Sequence, residues 1–201
     1  MTIGWENNPR FERYRVAPTI AHEMGHVFGF AHEHQRPDRE LSHYEFCSTG
    51  LLTTITGDSY VKYQCENLYS YQAAKNLLPS QPFVTMDMLC NDGTTCRHEP
   101  WSKVGINCAA EYNTLQNFLI LGKDYDIKSI MHYYSRQGGN WKISERRTIY
   151  NSPLIKWKNG GKGFIPPAVV NDQNAEMMDF RWGYGPSDGD LEGIRIMYPW
   201  I

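Results

Sequence analysis

Residues 22–32 read His-Glu-Met-Gly-His-Val-Phe-Gly-Phe-Ala-His. On a helix, His22 and His26 fall one turn apart on the same face, so both imidazoles can reach one metal ion. Glu23 lies between them in sequence, beside that ion rather than on it. Gly29 can end the helix by adopting a positive φ at low cost. The chain then doubles back and presents His32 as a third nitrogen. Three protein ligands leave one coordination position open to water, which marks a catalytic rather than a structural zinc. Zinc lowers the pKa of its water and polarises a carbonyl. Glu23 can take the water's proton and pass it to a leaving amine. Hydrolysis of a peptide bond is the reaction that needs this set. The HExxH core alone arises on any charged amphipathic helix. The third histidine, across a glycine, is what makes the pattern specific.

The elements that must position these groups are legible in part. Pro18 and Thr19 form a plausible helix start, with the helix running to about Phe28. Arg36 to Glu40 form a charged turn around Pro37. With the ligand set already full, His34 and His43 read as surface or hydrogen-bonding residues, and His132 as pointing away from the metal. His98 sits in a loop beside Glu99-Pro100. Downstream, the stretch Tyr60 to Tyr71 begins as a strand, and Ala73 to Leu78 reads as a short helix ended by Pro79. Ala109 to Leu121 reads as helix, or helix plus strand. Gly138 and Gly139 mark a turn. Residues 159–163, Asn-Gly-Gly-Lys-Gly, read as a flexible loop without the pattern of a phosphate loop. Near the end, Ser187 or Asp188 caps a helix whose apolar face is Leu191, Ile194, Met197 and Tyr198.

HExxHxxGxxH is the metzincin signature, and residues 22–40 resemble the astacin family, with Glu33, Arg36, Asp38 and Arg39 matching the places that follow its third histidine. Ser129-Ile130-Met131-His132-Tyr133 is similar to that family's Met-turn. The bland alternative for this pentapeptide is an ordinary buried turn. The resemblance implies an α+β, zincin-like catalytic domain built from the active-site helix, a lower subdomain with the Met-turn, and a C-terminal helix. It implies one zinc ion on His22, His26 and His32, and Met131 beneath the imidazoles, where a soft thioether packs well. It also implies that Tyr133 is a further zinc ligand that swings away to stabilise the transition state. The family's substrates are proteins or peptides.

The resemblance further implies a sizeable N-terminal half-domain that the sequence shows only in part. Thr2-Ile3-Gly4 looks like the tail of its edge-strand region. Residues 1–201 are therefore expected to form one partial domain, a fragment or truncated gene model with much of the upper sheet missing. A cysteine-containing insertion is expected roughly within 47–108, because His32 and Met131 are further apart than the family's usual spacing. The competing possibility, a natural minimal variant, must cover the helix face that the sheet would bury. Glu33's place in the family contacts the matured amino terminus. This sequence presents no recognisable matured terminus, and that contact is not assigned.

Composition bounds the rest. The chain has 201 residues, which fits one moderate core, with 41% hydrophobic and 21% charged residues, as in ordinary globular domains. Twenty basic and 22 acidic residues give a net charge of −2, with no basic patch to suggest nucleic acid. Apolar runs fall far short of a membrane span. Thirteen tyrosines and six tryptophans serve a substrate cleft or a core equally well. The start of the chain has neither the basic nor the apolar region of a signal peptide. Cys47, Cys65, Cys90, Cys96 and Cys108 leave the disulfide pairing open, although Cys90 and Cys96 bracket a tight polar loop and could close a small ring. Disulfides, with the resemblance, imply an extracellular or secreted protein. The leading function is a zinc metalloendopeptidase. The alternative is a zinc-binding but catalytically impaired fragment or pseudoenzyme that lacks the substrate-pairing edge strand. In a third possibility, a structural zinc domain, Glu23 would have no role.

Overall fold

The computed structural model describes residues 9–35, 44–46, 52–54, 59–91, 95, 98–104, 124–139, 146–178 and 185–199. Thr2-Ile3-Gly4, the charged turn Arg36–Glu40, His43, Cys47, Cys96, Cys108 and the 109–121 segment lie outside these residues. Helices and small antiparallel sheets alternate along the chain, in agreement with the α+β class.

The helix that carries the HExxH core, α1, spans Pro9–Val27. It begins well before the expected start at Pro18. Pro9 occupies its first position, where a missing amide hydrogen and a fixed φ cost nothing. Pro18 lies inside the helix, where one main-chain hydrogen bond is lost but the helix continues. Its end is as the sequence implies. Gly29 adopts φ +92°, the Phe30 N–H donates to Gly25 O at 2.9 Å, and the Gly29 N–H donates to His26 O at 3.0 Å. This pair of bonds is a Schellman cap, and it turns the chain back toward the helix. A 3₁₀ turn over Glu33–Gln35 follows. The outer side of α1 shows Ile20, Met24 and Val27 at 43%, 46% and 77% exposure.

Strands β1 (Tyr44–Phe46) and β2 (Leu52–Thr54) pair antiparallel. A second sheet has the order β3-β4-β5, from Ser59–Tyr63, Leu154–Gly161 and Ala175–Glu176, with both pairings antiparallel. The expected strand at Tyr60 is thus present. The expected loop at 159–163 shrinks to a turn at Lys162 and Gly163, because Asn159, Gly160 and Gly161 complete β4. A Cβ on Gly160 would stand 2.8 Å from Ser59 O and 3.0 Å from Tyr60 O. The glycine therefore serves close backbone approach at the irregularity between Ser59 and Val61, a use that a bulge makes of glycine. The start of β4 is buried on both faces, since successive side chains point to opposite sides of a strand. Ile155 and Trp157 join Ile149 and Ala175 in one cluster, while Leu154 joins Val61 and Tyr125 in another. Tyr133 and Met178 pack against this second cluster, so one face of the sheet supports the segment after Met131.

Helices α2 (Tyr71–Leu77), α3 (Met86–Asn91) and α4 (Trp101–Val104) surround a third cluster of Cys65, Leu68, Ala74, Leu89, Cys90 and Trp101. A 3₁₀ turn over Leu78–Ser80 follows α2 and contains Pro79, as expected of a proline that stops a helix. Cys65 and Cys90 form a disulfide with Cα atoms 5.8 Å apart. This overturns the small ring through Cys96: Cys90 is turned into the core, where Cys65 already lies, rather than toward the polar loop. Each large apolar side chain buried here contributes about 1.5–3 kcal/mol. The cluster is tied to the segment beyond the Met-turn by the Tyr69 N–H, which donates to Gly138 O at 3.0 Å. The expected turn is present there, with Gly138 at φ +71°.

Helix α5 spans Asp188–Met197, and Ser187 and Asp190 form a reciprocal capping box at its start. The expected apolar face is only half right. Leu191 and Tyr198 are 40% and 52% exposed, while Asp190 and Gly193 are the buried positions. The reason is polar: Asp190 turns inward to the Met-turn, and that contact sets the rotation of the helix. Among the described residues, no helix is long and apolar enough to cross a membrane.

Candidate metal centre and active site

The zinc-binding spacing on α1 needs the Gly29 cap to become a site. After the reversal, candidate ligand atoms of His22, His26 and His32 all lie within 4.8 Å of one another. Each ring is held through Nδ1. His22 Nδ1 meets Ile130 O at 2.8 Å, His26 Nδ1 meets Phe30 O at 2.9 Å, and His32 Nδ1 meets Gln35 Oε1 at 2.7 Å. A carbonyl oxygen can only accept, so each Nδ1 carries the proton. A neutral ring of that tautomer presents a lone pair at Nε2.

His26 Nε2 and His32 Nε2 stand 3.1 Å apart. With Nδ1 of both rings directed at oxygens, this contact needs a cation, a proton or a metal ion, shared between the two nitrogens. Two nitrogens on one tetrahedral zinc, with bonds of about 2.0–2.1 Å, are separated by about 3.3 Å. The donor set, the tautomers and the spacing therefore fit zinc. Outer acceptors of this kind fix ring orientation and raise ligand basicity.

Burial lowers the pKa of His22 below its usual 6.5, opposed by the Ile130 carbonyl; the charges of His32 and His26 lower it further, and Glu23 raises it. The sign follows for a base whose folded pKa is depressed. Its contribution to stability is complete above the unfolded pKa and is lost as pH falls through the lower folded one. His22 stays neutral, and able to ligate, into mildly acidic solution. Glu23 is half-buried on the same helix, close enough for its charge to act on His22.

The Met-turn comes to this helix from below. Met131 is 1% exposed, and a Cβ on Gly25 would run into its Sδ. Gly25, between the two helical ligands, is therefore small because Met131 lies against it. Sequence analysis does not assign that role, although a glycine inside an otherwise regular helix is its signal. The Glu33 N–H donates to Met131 O at 3.1 Å, and Glu33 Oε1 accepts from the Asp126 N–H at 2.7 Å. Glu33 thus joins the third-histidine segment to the Met-turn.

Tyr133 lies among the histidines. Its ring centroid is 4.3 Å from that of His32 and 6.1 Å from that of His22. The His34 ring also stacks on it, at 4.2 Å and 25°, and lies 5.4 Å from the His32 ring. His34 is fully buried, so the surface half of its expected role is corrected. The 3₁₀ turn points it inward, and the Tyr133 face gives it an aromatic neighbour. His132 is engaged elsewhere, as expected: Nδ1 donates to Tyr133 O at 2.7 Å, and Nε2 accepts from the Tyr125 hydroxyl at 2.5 Å. His98 is exposed in its loop. Arg36, Asp38 and Arg39 lie outside the described residues.

Two imidazoles on the capped helix, a third just after the cap, a carboxylate beside them and Met131 against Gly25 form a cluster that could hold a metal ion. Residues 14–75 match the family model of the Astacin peptidases, and this segment, which carries all three histidines, is astacin-like. No curated protein and no solved structure gives a significant match to the chain.

Proposed function

We propose that the protein is a zinc-dependent metalloendopeptidase acting on protein or peptide substrates, and that His22, His26 and His32 hold the metal through Nε2. The observation that carries this is the common orientation of the three rings, each with Nδ1 on an oxygen and with candidate ligand atoms within 4.8 Å of one another. When bound, zinc supplies Lewis-acid activation of a water and of the scissile carbonyl. Glu23 accepts the water's proton and returns it to the leaving amine. Met131 packs beneath the ligands. The Tyr133 hydroxyl donates to the oxyanion that forms at the carbonyl, its ring packed against both His32 and His34. The disulfide, together with the astacin-like segment, supports a secreted location.

Zinc binding by the full chain tests the metal assignment. Wild type is expected to take up one zinc, and His22→Ala, His26→Ala or His32→Ala to lose most of it. Full zinc content in any one of the three variants would refute the ligand set. For Tyr133, the Tyr133→Phe variant is expected to keep zinc and to lower kcat more than it changes KM, since the hydroxyl acts mainly in the transition state. A core tyrosine would instead show a loss of stability with turnover preserved. Steady-state kinetics alongside thermal melting separates the two.

A further inference from the structure

The three ligands are not oriented by the same kind of group. His22 and His26 use main-chain oxygens, of Ile130 and Phe30. His32 uses the side chain of Gln35, with Nδ1 and Oε1 2.7 Å apart. Gln35 is 2% exposed. Its own N–H donates to His32 O at 3.0 Å, so the 3₁₀ turn folds the carboxamide back onto the ligand that opens it. The same turn places Glu33 on the Met-turn and His34 on Tyr133, which leaves little freedom to Gln35.

We propose that Gln35 is a positioning residue for the metal: its carboxamide oxygen selects the tautomer of His32 and aims Nε2 at the site. The proposal deepens the zinc reading and rests on it. A neutral imidazole carries one ring proton, and that proton goes to the nitrogen that has an acceptor. With Oε1 at Nδ1, Nε2 is left as the lone-pair donor. With an apolar side chain there, the Nδ1–H would be buried without a partner. The other tautomer would then place its N–H where the metal has to bind. At a buried position solvent is poorly placed to replace the amide. The acceptors of His22 and His26 are peptide groups and persist whatever side chain is present. His32 is the ligand whose direct outer partner a single substitution can remove.

The test measures zinc affinity of the metal-free full chain, by competition with a chromophoric chelator. Gln35→Leu and Gln35→Met remove the acceptor at similar volume; both are expected to bind zinc about 10–100-fold more weakly, the usual scale for an outer-shell partner. Gln35→Glu keeps an oxygen in place and is expected to bind as tightly as wild type or tighter. Methionine is the more adaptable replacement, so it serves if the leucine variant does not fold. Wild-type affinity in the acceptor-free variants would overturn the role of Gln35 alone. A glutamate variant as weak as leucine would also overturn it, since packing rather than the acceptor would then be the cause. Failure of wild type itself to bind zinc would overturn the metal centre, and the role of Gln35 with it.

Discussion

Glu23→Gln is expected to leave zinc bound and to lower peptide hydrolysis by about 10²–10⁴-fold, the range assigned to a positioned general base. The substitution keeps side-chain length and hydrogen-bonding capacity and removes only the ability to take a proton. Glu23 follows a metal ligand on α1, so its backbone is fixed by the same turns that fix His22 and His26. The half-buried carboxylate already acts on His22 through its charge. Removing that charge leaves the three Nδ1 acceptors in place, which is why metal content should hold while turnover falls. Zinc content and single-turnover kinetics on one preparation decide the matter. Near-normal turnover would remove Glu23 from the mechanism, and loss of zinc would show that it supports the ligands instead.

The ligand set is legible in the sequence because its information is local. His22 and His26 need only helical periodicity, and Gly29 needs only its tolerance of positive φ, which it uses. The cap at Ser187 is legible for the same reason, since a capping box is written within four residues. What escapes depends on contacts between distant segments. The start of α1 is ambiguous because proline carries two opposite signals, initiation and interruption; Pro9 takes the first while Pro18 endures the second. Gly160 looks like loop punctuation, but the β3 backbone comes within contact of the place a side chain would occupy. Cys90 is near one candidate partner in sequence, yet core packing brings it to Cys65. The outer partners of the ligands, Ile130 and Gln35, carry no spacing rule. Asp190 carries no signal of its role in the sequence reading, because that role lies across the fold.

That role sets the last expectation, that Asp190→Ala destabilises the protein by about 3 kcal/mol and weakens its hold on zinc together. The Asp190 carboxylate is 6% exposed. Oδ1 accepts from Ser129 Oγ at 2.6 Å, and Oδ2 accepts from the Ile130 and Ser187 N–H groups, each at 2.8 Å. Alanine leaves these donors without their acceptor, and each one left buried and unmet costs about 1–3 kcal/mol, part of which water recovers. For a domain of this size the melting temperature should fall by about 6–12 °C. The effect reaches the metal because Ile130 is bound at both ends: its N–H donates to Asp190, and its carbonyl accepts from His22 Nδ1. Ser187 strengthens the same corner through a hydrogen bond to Asp126, whose N–H is held by Glu33. A closed path therefore runs from α5 through the Met-turn to the first ligand and to the turn after the third. Glu192→Ala serves as the control, since its contact with Arg195 on the same helix is exposed and should change stability by less than about 0.5 kcal/mol. Melting curves recorded with and without zinc read both consequences at once. If Asp190→Ala lowers the metal-free and zinc-loaded transitions by the same amount, the helix supports the fold alone. If zinc protects the variant less than it protects wild type, the helix also holds the metal site.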